Sequence, residues 1–181
     1  MNTIIFSDVF GITPALIKLK EKLGANSIID PYEGEYMGFK NEAEAYSYFV
    51  SEVGLDRYVS KVLIILSKLK CKTTLVGFSI GASAIWRISE INTSNLIKHA
   101  FCFYGSQIRN YTQITPCFKT YLVFPKSELH FDVSNLIDKL VNKHNVDITQ
   151  VEYLHGFMNS HSSNFNETGY SESIDSIVIR S

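Results

Sequence analysis

Positive charge is not in excess in this chain. Seventeen Lys and Arg face eighteen Asp and Glu, giving a formal net charge of −1. With no basic stripe along the sequence, nothing draws it toward a polyanion, and nucleic-acid binding is not expected. Cysteine is scarce: Cys71, Cys102 and Cys117 are odd in number and lack C-x-x-C spacing, which argues against a disulfide framework or a zinc ribbon and fits a reducing, cytoplasmic compartment. No apolar run reaches the length of a membrane span, and Met1 to Val9 carries no basic segment of the kind that opens a secretory leader. Internal repeats, linkers and low-complexity tracts are also missing, so the 181 residues are expected to form one domain, 1–181. The first β-prone run is not followed by a glycine-rich phosphate loop, which weighs against a flavodoxin-like nucleotide binder.

What is present alternates. Thr3 to Ser7 reads as a strand, and Thr13-Pro14 as an N-cap with proline at the first helical position. Leu16, Leu19, Lys20 and Leu23 then recur at helical spacing up to Gly24. Ser27 to Ile29 is a second strand. Glu42 to Val53 and Leu55 to Leu69 read as one interrupted helix or two successive ones, with Gly54 as the break. Thr73 to Val76 is a strand, Ile80 to Ile91 a helix rich in small residues, and His99 to Tyr104 another strand. Lys119 to Phe124, whose apolar run is too short for a helix and too continuous for an exposed edge, is another strand. Val133, Leu136, Ile137, Leu140 and Val141 mark one face of an amphipathic helix. Thr149 to Leu154 is a last strand, Asn159 to Ser173 a polar loop, and Ser171 to Ile179 a closing helix or strand. Strand and helix in turn imply a mostly parallel sheet of about six strands covered on both faces, a three-layer α/β sandwich. In open sheets of this kind ligands gather at the carboxyl ends of the strands, where Asp8, Asp30, Ser79, Tyr104, Glu128 and His155 all fall.

Residues 77 to 81 read Gly-Phe-Ser-Ile-Gly directly after a strand and before a helix. The G-x-S-x-G pentapeptide in that context makes a sharp turn with the serine at its apex. A hydroxyl is a poor nucleophile at neutral pH and needs a base, usually an imidazole oriented by a third group. Of five histidines, His155 is the best placed, just after the last strand. His130 and His161, both in loops, remain alternatives. The loop after the preceding strand offers Glu128 and Asp132 as the orienting acid. Asp132 has a structural reading as the N-cap of the following helix, so Glu128 is preferred. Ile80 N–H and the N–H of Val9 or Phe10 are positioned to bind an oxyanion. His130 and Asp132 could chelate a metal but lack a second ligand pair, so no metal and no cofactor are called for.

These stretches together resemble the dienelactone hydrolase family of α/β-hydrolases. Asp8-Val9-Phe10-Gly11 is similar to that family's Glu-Ile-Phe-Gly loop, Asp30-Pro31-Tyr32 to its second-strand exit, Tyr104-Gly105 to a Tyr-Gly after the fourth strand, and His155-Gly156-Phe157 to its histidine motif. The resemblance runs from about Ile4 to Met158. It implies the α/β-hydrolase fold, a Ser79–His155–Glu128 triad, an oxyanion hole from Val9 and Ile80, and a small-molecule ester, thioester or lactone as substrate. It also implies two readings of Asp8, as modulator of the nucleophile or as turn-closing residue. Phe10, Tyr32, Tyr104 and Phe157 are read as pocket walls. The chain departs from the family at three points: Ser79 stands where dienelactone hydrolase proper has cysteine, Glu128 where the family generally has aspartate, and no arginine matches the one that binds the substrate carboxylate. The rival reading is a non-catalytic binding protein that keeps the fold.

Overall fold

The computed structural model describes residues 2–91 and 95–180. Six strands, β1 (Asn2–Phe6), β2 (Ser27–Ile29), β3 (Thr73–Phe78), β4 (Ile97–Phe103), β5 (Lys119–Phe124) and β6 (Val146–Gln150), form one sheet in the order β2-β1-β3-β4-β5-β6. Every neighbouring pair is parallel. The chain adds β2 on one side of β1 and all later strands on the other, so strand order reverses between β1 and β3, and the loops leaving those two strands diverge to open a crevice.

Helices α1 (Pro14–Lys22) and α6 (Glu167–Arg180) cover one face; α2 (Glu42–Tyr48), α3 (Leu55–Leu66), α4 (Ile80–Ile88) and α5 (Val133–Leu140) cover the other. The two-residue strand period sorts the core between them. Ile4, Phe6, Leu75, Ala100, Cys102, Leu122 and Phe124 face α2 to α5, whereas Ile5, Val76, Phe78, Phe101 and Phe103 face α1 and α6. Thr13 caps α1 by accepting from Leu16 N at 3.1 Å, with Pro14 in the first turn. Between α2 and α3 the chain makes one π-helical segment, Phe49–Val53, and breaks at Gly54 with φ +74°, a left-handed conformation that glycine adopts without strain.

Two sequence expectations shift. The last strand is Val146–Gln150 rather than Thr149 to Leu154, because Val146 and Ile148 pair along β5; His155 therefore sits on a loop five residues past the strand. The closing segment is helical from Glu167, so the polar stretch is shorter than expected and its second half is α6. Of the three cysteines only Cys102 packs inside the core, and Cys71 and Cys117 are exposed.

The serine turn shows why glycine flanks it. A Cβ on Gly81 would lie 2.4 Å from Phe6 O and 2.6 Å from Ser7 O, and one on Gly77 would lie 2.8 Å from Ala82 N. Both glycines are required by the close approach of α4 to β1 and of the turn to itself. Gly81→Ala is thus expected to destabilise the protein by about 3 kcal/mol or more, since backbone oxygens cannot move aside. That corresponds to a fall in Tm of roughly 6–12 °C for a chain of this size, measurable by calorimetry.

Candidate active site

Ser79 joins β3 to α4 with φ +51° and ψ −110°. A non-glycine residue in this region is strained, and the strain is held by Ser79 N–H donating to Phe103 O at 2.9 Å and by Ser83 N–H and Oγ–H both donating to Ser79 O. The turn projects Oγ into the crevice. There it meets His155 Nε2 at 3.1 Å, and on the far side of the imidazole Nδ1 lies 2.7 Å from Glu128 Oε1. The Glu128 carboxylate accepts from Nδ1–H, which leaves Nε2 to accept from the serine hydroxyl. Of the alternative residues, Asp132 caps α5, accepting from Asn135 N at 3.2 Å. His130, His144 and His161 are exposed, and His99 is buried in β4 with a 3.1 Å contact to Thr74 Oγ1.

His155 is held from several sides. Its carbonyl accepts from Asn164 Nδ2 at 2.9 Å, and its ring lies 4.9 Å from that of Tyr104. Gly156, at φ +83°, lets the chain turn tightly against Ser162 Oγ, where a Cβ would come within 2.5 Å. Burial pushes the imidazole pKa down, but the Glu128 hydrogen bond and charge, with smaller contributions from Glu42 and Asp8, outweigh it and leave the pKa raised. Glu42, at the start of α2, brings Oε1 to 3.7 Å from Nε2, the same nitrogen that faces Ser79.

The loop after β1 forms the other wall. Phe10 N–H is engaged by Asp8 Oδ1 at 3.0 Å, so of the two amides weighed for the oxyanion Val9 is the one left over. Among the described residues neither Val9 N–H nor Ile80 N–H donates to an acceptor in the turns and loops. Val9 is fixed by its own carbonyl, which accepts from Tyr32 OH at 2.7 Å. Tyr32 is therefore an anchor of the loop, packed against Gly11, rather than a pocket wall. Phe157 is likewise core, fully buried against Phe103, Tyr104 and Tyr153. Asp30 closes its turn by accepting from Tyr32 N and Gly34 N. Val9, Phe10, Ser79, Tyr104 and His155 do line one narrow pocket, about 10 Å³, with Asp8 and Glu42. Such a volume is roughly that of one water-sized sphere.

Asp8 bonds to Phe10 N and to Asn159 Nδ2, the latter at 2.7 Å, and makes no hydrogen bond to Ser79. The turn-closing reading fits these contacts. Burial raises its pKa from the ordinary 3.8 to about 6, against the Asn159 and Phe10 hydrogen bonds that lower it. The native state therefore holds this proton more tightly than the unfolded chain does, and the difference costs stability as pH rises between those two values. The cost is on the order of 3 kcal/mol. Urea unfolding of wild type and Asp8→Asn across pH 4 to 7 should show the variant gaining by about that amount relative to wild type as pH rises.

Glu42, Asn159, Asn164 and Ser162 were not foreseen. Asn41 to Glu44 reads as the opening of a helix, and nothing in it signals that Glu42 turns toward a pocket. Asn159 and Asn164 lie in the stretch read as a polar loop; asparagines that bind local backbone were the signal available.

The parallel sheet, the strand order and the serine turn at the exit of β3 define the α/β-hydrolase fold. Solved structures with that fold superpose over nearly the whole chain. A dienelactone hydrolase-like promiscuous phosphotriesterase, P91, from metagenomic libraries matches 97% of this chain and 83% of its own, at a TM-score of 0.67 and 13% identity. Est1E from Butyrivibrio proteoclasticus, in a form with ferulic acid bound, matches 99% of this chain and 88% of its own, at a TM-score of 0.67 and 10% identity. In sequence, the uncharacterized protein YczH of Bacillus subtilis (strain 168) is 29% identical over 174 residues, 90% of this chain and 83% of that protein. No protein-family model matches the chain. Among the described residues no helix is long and apolar enough to cross a membrane.

Proposed function

We propose that this protein is a cofactor-independent serine hydrolase of a small carboxylic ester, thioester or lactone. The observation that carries the reading is the unbroken line of contacts from Ser79 Oγ through both ring nitrogens of His155 to Glu128. Ser79 Oγ attacks the acyl carbon while Nε2 takes its proton. The carbonyl oxygen, now an anion, is received by Val9 and Ile80 N–H, the second of which opens α4 and adds the helix dipole. The imidazolium, paired with Glu128, returns the proton to the leaving alcohol or thiol. Water then attacks the acyl-enzyme by the same route in reverse and releases the acid. The neighbours in fold include an esterase and a phosphotriesterase, which supports hydrolysis as the reaction class. The narrow pocket supports a small acyl group.

A non-catalytic role for the fold would leave the acid free of the histidine. A 2.7 Å contact between them favours turnover. A fluorophosphonate probe tests the proposal: wild type should be labelled at Ser79, as read by peptide mass spectrometry, and Ser79→Ala should not. A folded wild type that resists labelling defeats it.

A further inference from the structure

The pocket that leads to Ser79 is lined by two carboxylates, Asp8 and Glu42, and by no lysine or arginine. The two are differently placed. Asp8 is buried, and both of its oxygens are taken, by Phe10 N and Asn159 Nδ2. The Glu42 side chain is 47% exposed and, among the described residues, has no hydrogen-bond donor; its one polar contact is the 3.7 Å approach of Oε1 to His155 Nε2.

An acid at the start of a helix often has a local explanation, but at α2 that work is done by others. Asn41 Oδ1 accepts from Glu44 N at 2.9 Å, and Glu44 Oε2 accepts from Lys40 N at 2.8 Å, a reciprocal pair of caps. Glu42 takes no part in it. No lysine or arginine among the described residues makes an ion pair with it. Among the described residues its only charged neighbour is His155, so a carboxylate without a lysine or arginine partner stands in the pocket beside the nucleophile.

We propose that Glu42 is a specificity-determining residue that selects esters bearing an ammonium group and rejects those bearing a carboxylate. This rests on the hydrolase reading above. A carboxylate beside the nucleophile attracts an ammonium ion by charge pairing. An anionic substrate would have to bring a second negative charge toward Glu42 and Asp8 with no lysine or arginine in the pocket to meet it. The effect extends to the reaction itself, because developing negative charge on the carbonyl oxygen lies in the same field, and a substrate cation offsets it.

The test is kcat/KM at pH 8 for three p-nitrophenyl esters of matched length: 4-(trimethylammonio)butanoate, its neutral isostere 5,5-dimethylhexanoate, and the hemiglutarate. Wild type should favour the cation over the anion by at least about 10-fold at low salt, and Glu42→Gln should erase most of that ratio. The ratio, rather than either rate, is the readout, because any effect of the variant on His155 or on folding cancels in it. Raising NaCl from 0.05 to 0.5 M should shrink the wild-type ratio without any mutation. Turnover of the neutral ester that depends on Ser79, with equal rates for all three charges or a ratio unchanged in Glu42→Gln, overturns this inference and leaves the hydrolase reading standing. No Ser79-dependent turnover on any of the three overturns this inference, and no Ser79-dependent turnover of p-nitrophenyl acetate overturns the hydrolase reading as well.

Discussion

Ser79→Ala is expected to lower kcat for p-nitrophenyl acetate by about 10⁶-fold, and His155→Ala to lower it by a similar factor, with the double variant no worse than either alone. The reason is that the two groups act in one event. The hydroxyl is nucleophilic only while Nε2, 3.1 Å away, is taking its proton, so removing either partner removes the whole covalent route. What remains is the contribution of the backbone N–H groups at Val9 and Ile80 and of substrate positioning, which both variants keep. Stopped-flow measurement should show a burst of p-nitrophenol in wild type and none in Ser79→Ala. Independent, multiplicative losses in the double variant would mean that the contacts seen in the crevice are not a catalytic unit.

Glu128→Gln should cost about 10⁴-fold in kcat, the size of loss known when the orienting acid of a triad becomes an amide. Either end of the amide can face Nδ1, and neither reproduces the carboxylate: the imidazolium loses its counter-charge, and the tautomer that leaves Nε2 free to accept is no longer enforced. A second readout comes from pH. Activity requires neutral His155 and therefore falls as pH drops through its pKa. Because Glu128, Glu42 and Asp8 together raise that pKa despite burial, the acid limb of kcat/KM should lie above the ordinary imidazole range. Glu128→Gln removes the charge and weakens the hydrogen bond that contribute most to the increase, so the limb should move to lower pH. Asp132→Asn supplies the contrast: it should change kcat by less than about 2-fold, since asparagine also caps helices well and the site is untouched.

Both results turn on an assignment that the sequence left between two carboxylates, Glu128 and Asp132, in the loop after β5. Local chemistry was enough to suggest it, since Asp132 stands where a helix must be capped and Glu128 does not. Ser79 was legible for a similar reason: a glycine-flanked serine between an apolar strand and a helix has few other uses. The parallel sheet followed from alternation, because strands joined by helical crossovers run the same way. The period-two division of the core, Ile4 and Phe6 to one side and Ile5 to the other, lay beyond reach in strands that carry apolar residues on both faces. So did any residue whose role depends on where a loop folds back. Phe157 and Tyr32 are aromatic and next to the motifs, yet one is core and the other an anchor. Glu42 and Asn159 reach the site over distances that chain order does not encode, 113 residues separating Glu42 from His155 and 151 separating Asn159 from Asp8.

The sheet order also has a consequence for how molecules of this protein meet each other. Its interior strands are those most prone to self-association: all six residues of β3 are buried, and β4 carries Phe101 and Phe103. The outermost strands are the opposite. β2 is three residues long, and β6 reads Val-Asp-Ile-Thr-Gln with only Val146 buried and Asp147 tied to Lys119. A short margin on one side and a charged, polar one on the other give a neighbouring sheet little to extend. Edges of this kind disfavour strand-to-strand joining between crowded molecules, and a core rich in phenylalanine lies inside each one.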